Sequence, residues 1–284
     1  MKKSLYFLCI IIFNLHCYSQ DDLLKDLDED VVVDTKINNT FEALKIINIE
    51  STELAGEKEF YFLIAHRFGS LKNGFDDLFG LDVATIKFSF FYGVKDWLQL
   101  GVARSEFKKM YDINAKYRFM TQETDGFPFT ISGFSSIGIN TVLKKRNFPK
   151  MTFNHRLTYL SELLISRKMN DNLSLQIAPI FIHENLVANP NQSNSQFALS
   201  LAGSYKISDS WSITTEYTPH LNRATNSNFA DALSFGLDWQ VGGHVFQLMF
   251  TNSQPLNDSH YVTNATGVWE KGDVYFGFNL YRVF

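Results

Sequence analysis

One pattern governs what this chain can fold into. From residue 58 onward, apolar and polar residues alternate with period two, in run after run of ten or more residues. Ile86, Phe88, Phe90, Tyr92 and Val94 alternate with Lys87, Ser89 and Gly93. Tyr111, Ile113, Ala115, Tyr117 and Phe119 alternate with Asp112, Asn114, Lys116 and Arg118. Successive side chains of a strand point to opposite faces, so each run reads as a strand with one apolar and one polar face. About twelve such runs can be drawn, over 58–68, 84–94, 97–107, 110–120, 128–140, 152–167, 172–184, 196–207, 211–220, 231–242, 244–252 and 273–284. Strands of globular domains average about five or six residues, whereas a tilted membrane strand needs about nine to eleven. No long segment carries a helical period.

The connections narrow the architecture further. Lys95-Asp96, Met169 to Asp171, Ser208 to Ser210 and Gly242-Gly243 read as tight turns, and the links 69–83, 141–151, 185–195, 221–230 and 253–272 are longer. Short and long links alternate along the chain, apart from a short one near Phe107–Lys109. An antiparallel barrel with one smooth and one elaborate rim requires this parity, and outer-membrane barrels have short periplasmic turns and longer outer loops. Trp97 and Trp211 directly follow tight turns, where an interfacial girdle sits. The expected fold is therefore all-β: a single antiparallel transmembrane β-barrel of about 12 strands.

Composition agrees. The chain holds 27 Phe, 12 Tyr and 4 Trp, yet its mean hydropathy is −0.11. That combination suits rings facing lipid on a barrel wall whose other face is polar. The longest strongly apolar stretch, Leu5–Phe13, is too short for a membrane-spanning helix. A net charge of −4 offers no basic surface for nucleic acid.

The N-terminus reads as an export signal over residues 1–19: Met1-Lys2-Lys3, an apolar Leu5 to Leu15, and small residues placing cleavage after Ser19. A lipoprotein anchor at Cys17 is disfavoured because His16 is not small. Cys9 and Cys17 both fall in this segment, so the remainder has no cysteine and no disulfide, thiolate metal site or cysteine nucleophile. Residues 20–57 are expected to form an acidic periplasmic segment. Its run Asp21 to Asp34 holds seven carboxylates and one lysine. Asp26, Asp28 and Asp30 alternate as calcium ligands do, but Val31 and Ile37 stand where an EF-hand needs Gly and Glu. Residues 39–57 read either as a short helix or as an extended plug. Residues 58–284 are the barrel.

Catalytic chemistry is not legible. There is no phosphate-binding glycine loop, HExxH motif or GxSxG elbow, and no cofactor, metal or catalytic residue is assigned. The histidines His66, His155, His183, His220, His244 and His260 mostly fall near strand ends, without ligand spacing. The polar faces are more informative. Glu59, Lys87, Asp112, Lys116, Arg118, Arg156, Glu162, Glu216 and Asp238 lie opposite the rings and are expected to face the lumen. A charge at mid-membrane on the lipid face would cost about 2–4 kcal/mol for Lys or Arg. These residues either pair into a salt-bridged filling or line a water path. In the last strand, Phe276, Phe278, Leu280 and Phe284 share an aromatic-rich face, the form of an outer-membrane assembly signal, with Arg282 breaking it near the end.

The stretches Ile64-Ala65-His66-Arg67-Phe68-Gly69 and Asp77-Leu78-Phe79-Gly80-Leu81-Asp82, with Lys116-Tyr117-Arg118 and the closing Phe284, resemble a β-barrel family of Bacteroidetes without an assigned function, DUF5777. The resemblance runs over roughly residues 40–284 and implies an outer-membrane barrel from that phylum. It brings no catalytic residues. The functional expectation is a passive channel or uptake protein for small solutes. The alternatives are a plugged structural or adhesive barrel acting through its outer loops, and an integral outer-membrane hydrolase. The expected partners are outer-membrane lipid and the barrel-assembly machinery, not nucleic acid; no residue pattern names a substrate.

Overall fold

A computed structural model describes residues 35–147 and 149–284. The signal segment and the whole acidic run, with Asp26, Asp28 and Asp30, lie outside the described residues. Twelve antiparallel strands form a closed barrel: β1 (Phe60–Ser70), β2 (Ala84–Lys95), β3 (Leu98–Ser105), β4 (Met110–Met120), β5 (Thr130–Asn140), β6 (Leu157–Lys168), β7 (Leu173–Glu184), β8 (Ser195–Ser208), β9 (Trp211–Thr218), β10 (Ala232–Val241), β11 (His244–Thr251) and β12 (Tyr275–Val283). Each strand pairs with its sequence neighbours, and β12 pairs with β1 to close the ring. Beyond that ladder the Phe284 amide donates to the Phe60 carbonyl at 2.9 Å, and their rings lie 6.1 Å apart.

Burial alternates along the strands. On β2, Lys87, Ser89 and Phe91 are buried while Phe88, Phe90 and Tyr92 are exposed. The outer face carries cross-strand ring contacts at spacings suited to tilted or offset stacking. Phe62 stacks on Phe90 at 4.9 Å, Phe68 on Phe276 at 5.7 Å, and Trp211 on Trp239 at 5.4 Å. Phe276, Phe278 and Leu280 of the closing strand belong to this half-exposed face, and Phe284 is exposed. Arg282 is exposed, with its guanidinium 5.0 Å from the Phe284 ring centroid and 3.0 Å from His244 Nε2.

The rims depart from the expected parity at one place. Four connections at one rim are tight, as the turn residues imply, but the fifth, 121–129, is longer. It pairs with the chain that enters the barrel: Lys36 bridges Glu123, and the Ile37 amide donates to the Gln122 carbonyl at 2.7 Å. The start of β6 differs from the run drawn over 152–167. β6 starts at Leu157, and Arg156 ends a 3-10 turn, Asn154–Arg156, at the opposite rim.

The outer face should be intolerant of charge in a depth-dependent way. Phe90→Arg, in mid-strand, is expected to lower stability by about 2–4 kcal/mol, and Phe60→Arg, at the tight-turn rim, by about 1 kcal/mol or less. Urea titration in liposomes, read by the gel-mobility difference between folded and boiled protein, measures both. Equal costs at the two positions would contradict the placement of this face in lipid.

Candidate functional site

The lumen is filled by two irregular segments, one from each rim. From the tight-turn rim, residues 40–56 enter as a narrow turn without helix. The Ser51 amide donates to Leu44 O and the Ile46 amide to Ile49 O, both at 3.0 Å, leaving residues 46–49 as a tip. From the other rim, the link 252–274 folds inward and carries the short helix α1 (His260–Thr263). The inner segment passes closely over β2: a Cβ on Gly93 would collide with the Gly56 carbonyl oxygen.

Polar side chains of the wall hold the inner segment by its backbone. Glu216 accepts from the Asn48 and Ile49 amides at 2.9 and 3.1 Å and from Asn48 Nδ2 at 2.5 Å. Gln247 donates to Lys45 O and Ile46 O, and Asn279 Nδ2 donates to Ile47 O at 2.9 Å. Gln176 donates to Glu50 O, and Lys116 Nζ donates to Leu44 O and Glu53 O. An irregular segment offers unpaired peptide groups, and burying them without partners would cost about 1–3 kcal/mol each. The wall supplies those partners. Arg67, about 1% exposed, donates to Asn48 Oδ1 at 2.9 Å and to Asn279 Oδ1 at 3.1 Å; its side chain fits because Gly277 leaves space beside it.

A charge network joins the two segments to each other and to the wall. Asp258 Oδ1 lies 2.9 Å from both Lys45 Nζ and Lys87 Nζ. Lys45 also pairs with Glu50, which lies 2.8 Å from Lys116 Nζ. Asp112 lies 4.0 Å from Lys87 and accepts from Asn257 Nδ2 at 3.2 Å. A void of about 10 Å³ remains between Lys45, Arg67, Lys87 and Leu256, about the room for one water. Open volume lies instead at the tight-turn rim, a vestibule of about 720 Å³ bordered by Lys36, Glu53, Trp97 and Arg118.

The residues singled out in the sequence fall into distinct surroundings. Lys87, Asp112, Lys116, Glu162, Glu216 and Asp238 are buried. All but Glu162 contact an inserted segment or a polar wall neighbour; Asp238 Oδ2 accepts from Gln247 at 3.1 Å. Glu162 has no hydrogen-bond partner at either oxygen, and its ladder neighbours are Phe134 and Ile180. Arg118 donates to Thr52 O at 3.1 Å near the vestibule. Glu59 precedes β1 at the same rim and accepts from the Tyr61 hydroxyl at 3.0 Å. Arg156 remains outside the group. Lys45, Asn48, Glu50, Arg67 and Asp258 were not singled out. Arg67 was readable from its place opposite the rings of β1, whereas the others lie on segments with no period to place them.

Two histidines depart from the rim position expected of them. His66 points outward from β1 and stacks on Phe278 at 5.2 Å. His260 is buried under the inward-folded link: Lys108 Nζ is 2.8 Å and Glu184 Oε2 3.6 Å from its Nε2, and Ser259 Oγ is 3.1 Å from its Nδ1. Burial holds the His260 imidazole below its ordinary range, the Lys108 ammonium acts the same way, and Glu184 opposes both. Among the described residues, no group of three His, Cys, Asp or Glu is placed to hold a metal ion.

With this geometry in view, the sequence comparison is decisive at the family level. The profile of the membrane-bound β-barrel domain DUF5777 matches residues 41–284. The chain belongs to the DUF5777 family. Its matched region includes the inner segment together with all twelve strands. Among solved structures, this DUF5777 barrel is similar to the KdgM porin (9% identity, 78% of this chain and 99% of that one, TM-score 0.49). A KdgM porin in complex with disordered oligogalacturonate gives 10% identity over 78% and 99% of the two chains, with a TM-score of 0.47. The outer membrane protein Omp33 of Acinetobacter baumannii gives 10% identity over 80% and 99%, with a TM-score of 0.44. At these identities no residue role transfers. Comparison with curated proteins gave no match.

Two outcomes follow for the DUF5777 lumen. Removing the unpaired carboxylate by Glu162→Gln should stabilise the barrel by about 1–3 kcal/mol, whereas Lys116→Gln, which strips a partner from buried Glu50, should cost about 3 kcal/mol. Shifts of the heat-mobility midpoint in opposite directions are the expected result; two losses would deny Glu162 its unpaired state. His260 is neutral when docked, with a folded pKa below the unfolded value of about 6.5, so its contribution is complete above that value and declines as pH falls below it. Hydrogen-exchange protection of residues 255–265, taken relative to the intrinsic rate at each pH, should therefore fall between about pH 6.5 and pH 5 in the parent. In His260→Gln that pH dependence should be much weaker; an unchanged dependence would assign the transition to another group.

Proposed function

We propose that this chain is an outer-membrane channel for small polar solutes, held shut at rest by residues 40–56 and by the inward-folded 252–274 link. In this reading the tight-turn rim faces the periplasm, the long links face outward, and residues 1–19 are a cleaved export signal. Phe276, Phe278, Leu280 and Phe284 present the closing strand to the assembly machinery, and the source is a member of the Bacteroidetes.

One observation carries the reading. Part of the wall beneath the inner segment is polar: Gln99, Lys116, Gln176, Glu216, Gln247 and Asn279 are buried against it, and each has a side chain that water could serve, while β5 to β8 meet it with apolar side chains. The apolar cluster of Ile46, Ile47 and Ile49 with Leu160, Leu164 and Ile180 favours a filling that stays, whereas the buried charge pairs repay their desolvation poorly. A polar wall stays acceptable when the filling leaves and water enters.

A permanently plugged structural barrel is the competing reading, favoured by the Lys45–Asp258 contact that ties the two segments together from opposite rims. Planar-bilayer recording separates the two. The parent should be almost silent, the deletion of residues 40–56 should give frequent stepwise conductance, and Lys45→Ala with Asp258→Ala should give brief openings. A deletion variant that folds, by its heat-dependent mobility, and still conducts nothing would overturn the channel reading.

A further inference from the structure

The outer wall carries a second feature, independent of the lumen. A groove of about 550 Å³ crosses β4 to β8 on the exposed face. Its path follows two neighbouring cross-strand rows. One runs Tyr117, Gly133, Leu163, Pro179, Leu199, and the other passes Ser135, Ser161, Phe181, Phe197 and then Leu221, whose amide donates to Phe197 O. Ser161 lies on the floor, the Tyr117 ring lies over Gly133 at one end, and rings stand at both ends. Tyr117 and Phe119 close one end, and Phe181 and Phe197 flank the other. Elsewhere the wall presents large apolar side chains, such as Val102 on β3 and Leu248 on β11.

The ladder is interrupted at the floor of this groove. β6 and β7 pair continuously through Glu162–Ile180 and resume at Ile165–Ile177, so the two intervening pairs, Leu163–Pro179 and Leu164–Ala178, are missing. Pro179 has no N–H to give. In hydrocarbon no water replaces a lost ladder bond, so a proline in mid-wall is a cost that a uniform barrel surface would not carry.

We propose that this groove is a binding site for one acyl chain of a bilayer lipid, entering from the Leu221 end beside the long links. The occupant is argued from where the groove lies and from its size. It is continuous with the face that a membrane-bound β-barrel presents to lipid, so hydrocarbon is what reaches it. Four strand intervals give a length of roughly 20 Å. Strands tilted about 35–45° incline the cross-strand rows by the same angle, so the groove descends roughly 13 Å, close to the roughly 15 Å depth of one leaflet. A single chain fits that run, which is lined mainly by apolar side chains and offers only the Tyr117 and Ser161 hydroxyls among its outward-facing polar groups.

The test uses the full barrel in liposomes containing a trace of phosphatidylcholine with a photoactivatable diazirine in one acyl chain. Adducts are mapped by mass spectrometry after illumination. The expected result is several-fold enrichment on β4 to β8 over β2–β3 and β10–β11, with the enrichment lost in Ser161→Phe, which fills the floor. Ser161→Ala, which leaves the groove open, should keep it and serves as the folding control. Even labelling around the barrel, or enrichment unchanged by Ser161→Phe, would overturn the site. The readout is on the outer face and does not depend on conductance, so it stands or falls separately from the channel reading.

Discussion

The structure depends on one requirement: an irregular stretch of backbone placed inside a barrel must find a partner for every peptide group. The ladder satisfies the strands, but it can do nothing for residues 40–56, which form neither helix nor strand. Glu216, Gln247, Asn279, Gln176 and Lys116 meet that need one group at a time. The polar face of the strands is thus a set of fixed donors and acceptors matched to a particular path of chain. The charged contacts add position. Asp258 between Lys45 and Lys87 sets where the 252–274 link meets the tip, and Arg67 against Asn48 sets the depth of the tip.

Much of the barrel was legible because period-two alternation is enforced by the wall itself: one face meets lipid and the other does not. The runs around Phe88, Tyr117 and Phe235 placed their strands directly, and the turn residues placed the smooth rim. Where strands are apolar on both faces the signal fades. Leu160 and Leu164 of β6 and Ile180 and Ile182 of β7 point inward, against Phe41, Ile46, Ile47 and Ile49 of the inner segment and Tyr261 and Val262 of the 252–274 link. The start of β6 was misread in the same region, where a 3-10 turn interrupts the approach to the strand.

The lumen itself was only half legible. Opposite-face reasoning found Lys87, Asp112, Lys116 and Glu216, yet could not say what they meet. Their partners are backbone atoms and side chains of segments without periodicity, and the pairing is remote in sequence. Nothing near Asp258 marks it as a partner of Lys45. The choice between an ion-paired filling and a water path also could not be made from the strands, since both use the same residues.

The anchoring of the inner segment has a consequence for the order in which the protein can be built. Residues 44–50 precede every strand, but their anchors come from β4, β7 and β9 to β12, at separations of 168 residues for Asn48 and Glu216 and 232 for Ile47 and Asn279. Contacts of such high sequence separation form late, because closing long loops costs entropy before any contact repays it. A stretch synthesised before the strands that anchor it is therefore seated late. Until then the growing wall must tolerate an empty, wet interior, and a lumen lined with glutamine, asparagine, lysine and glutamate is one that can wait.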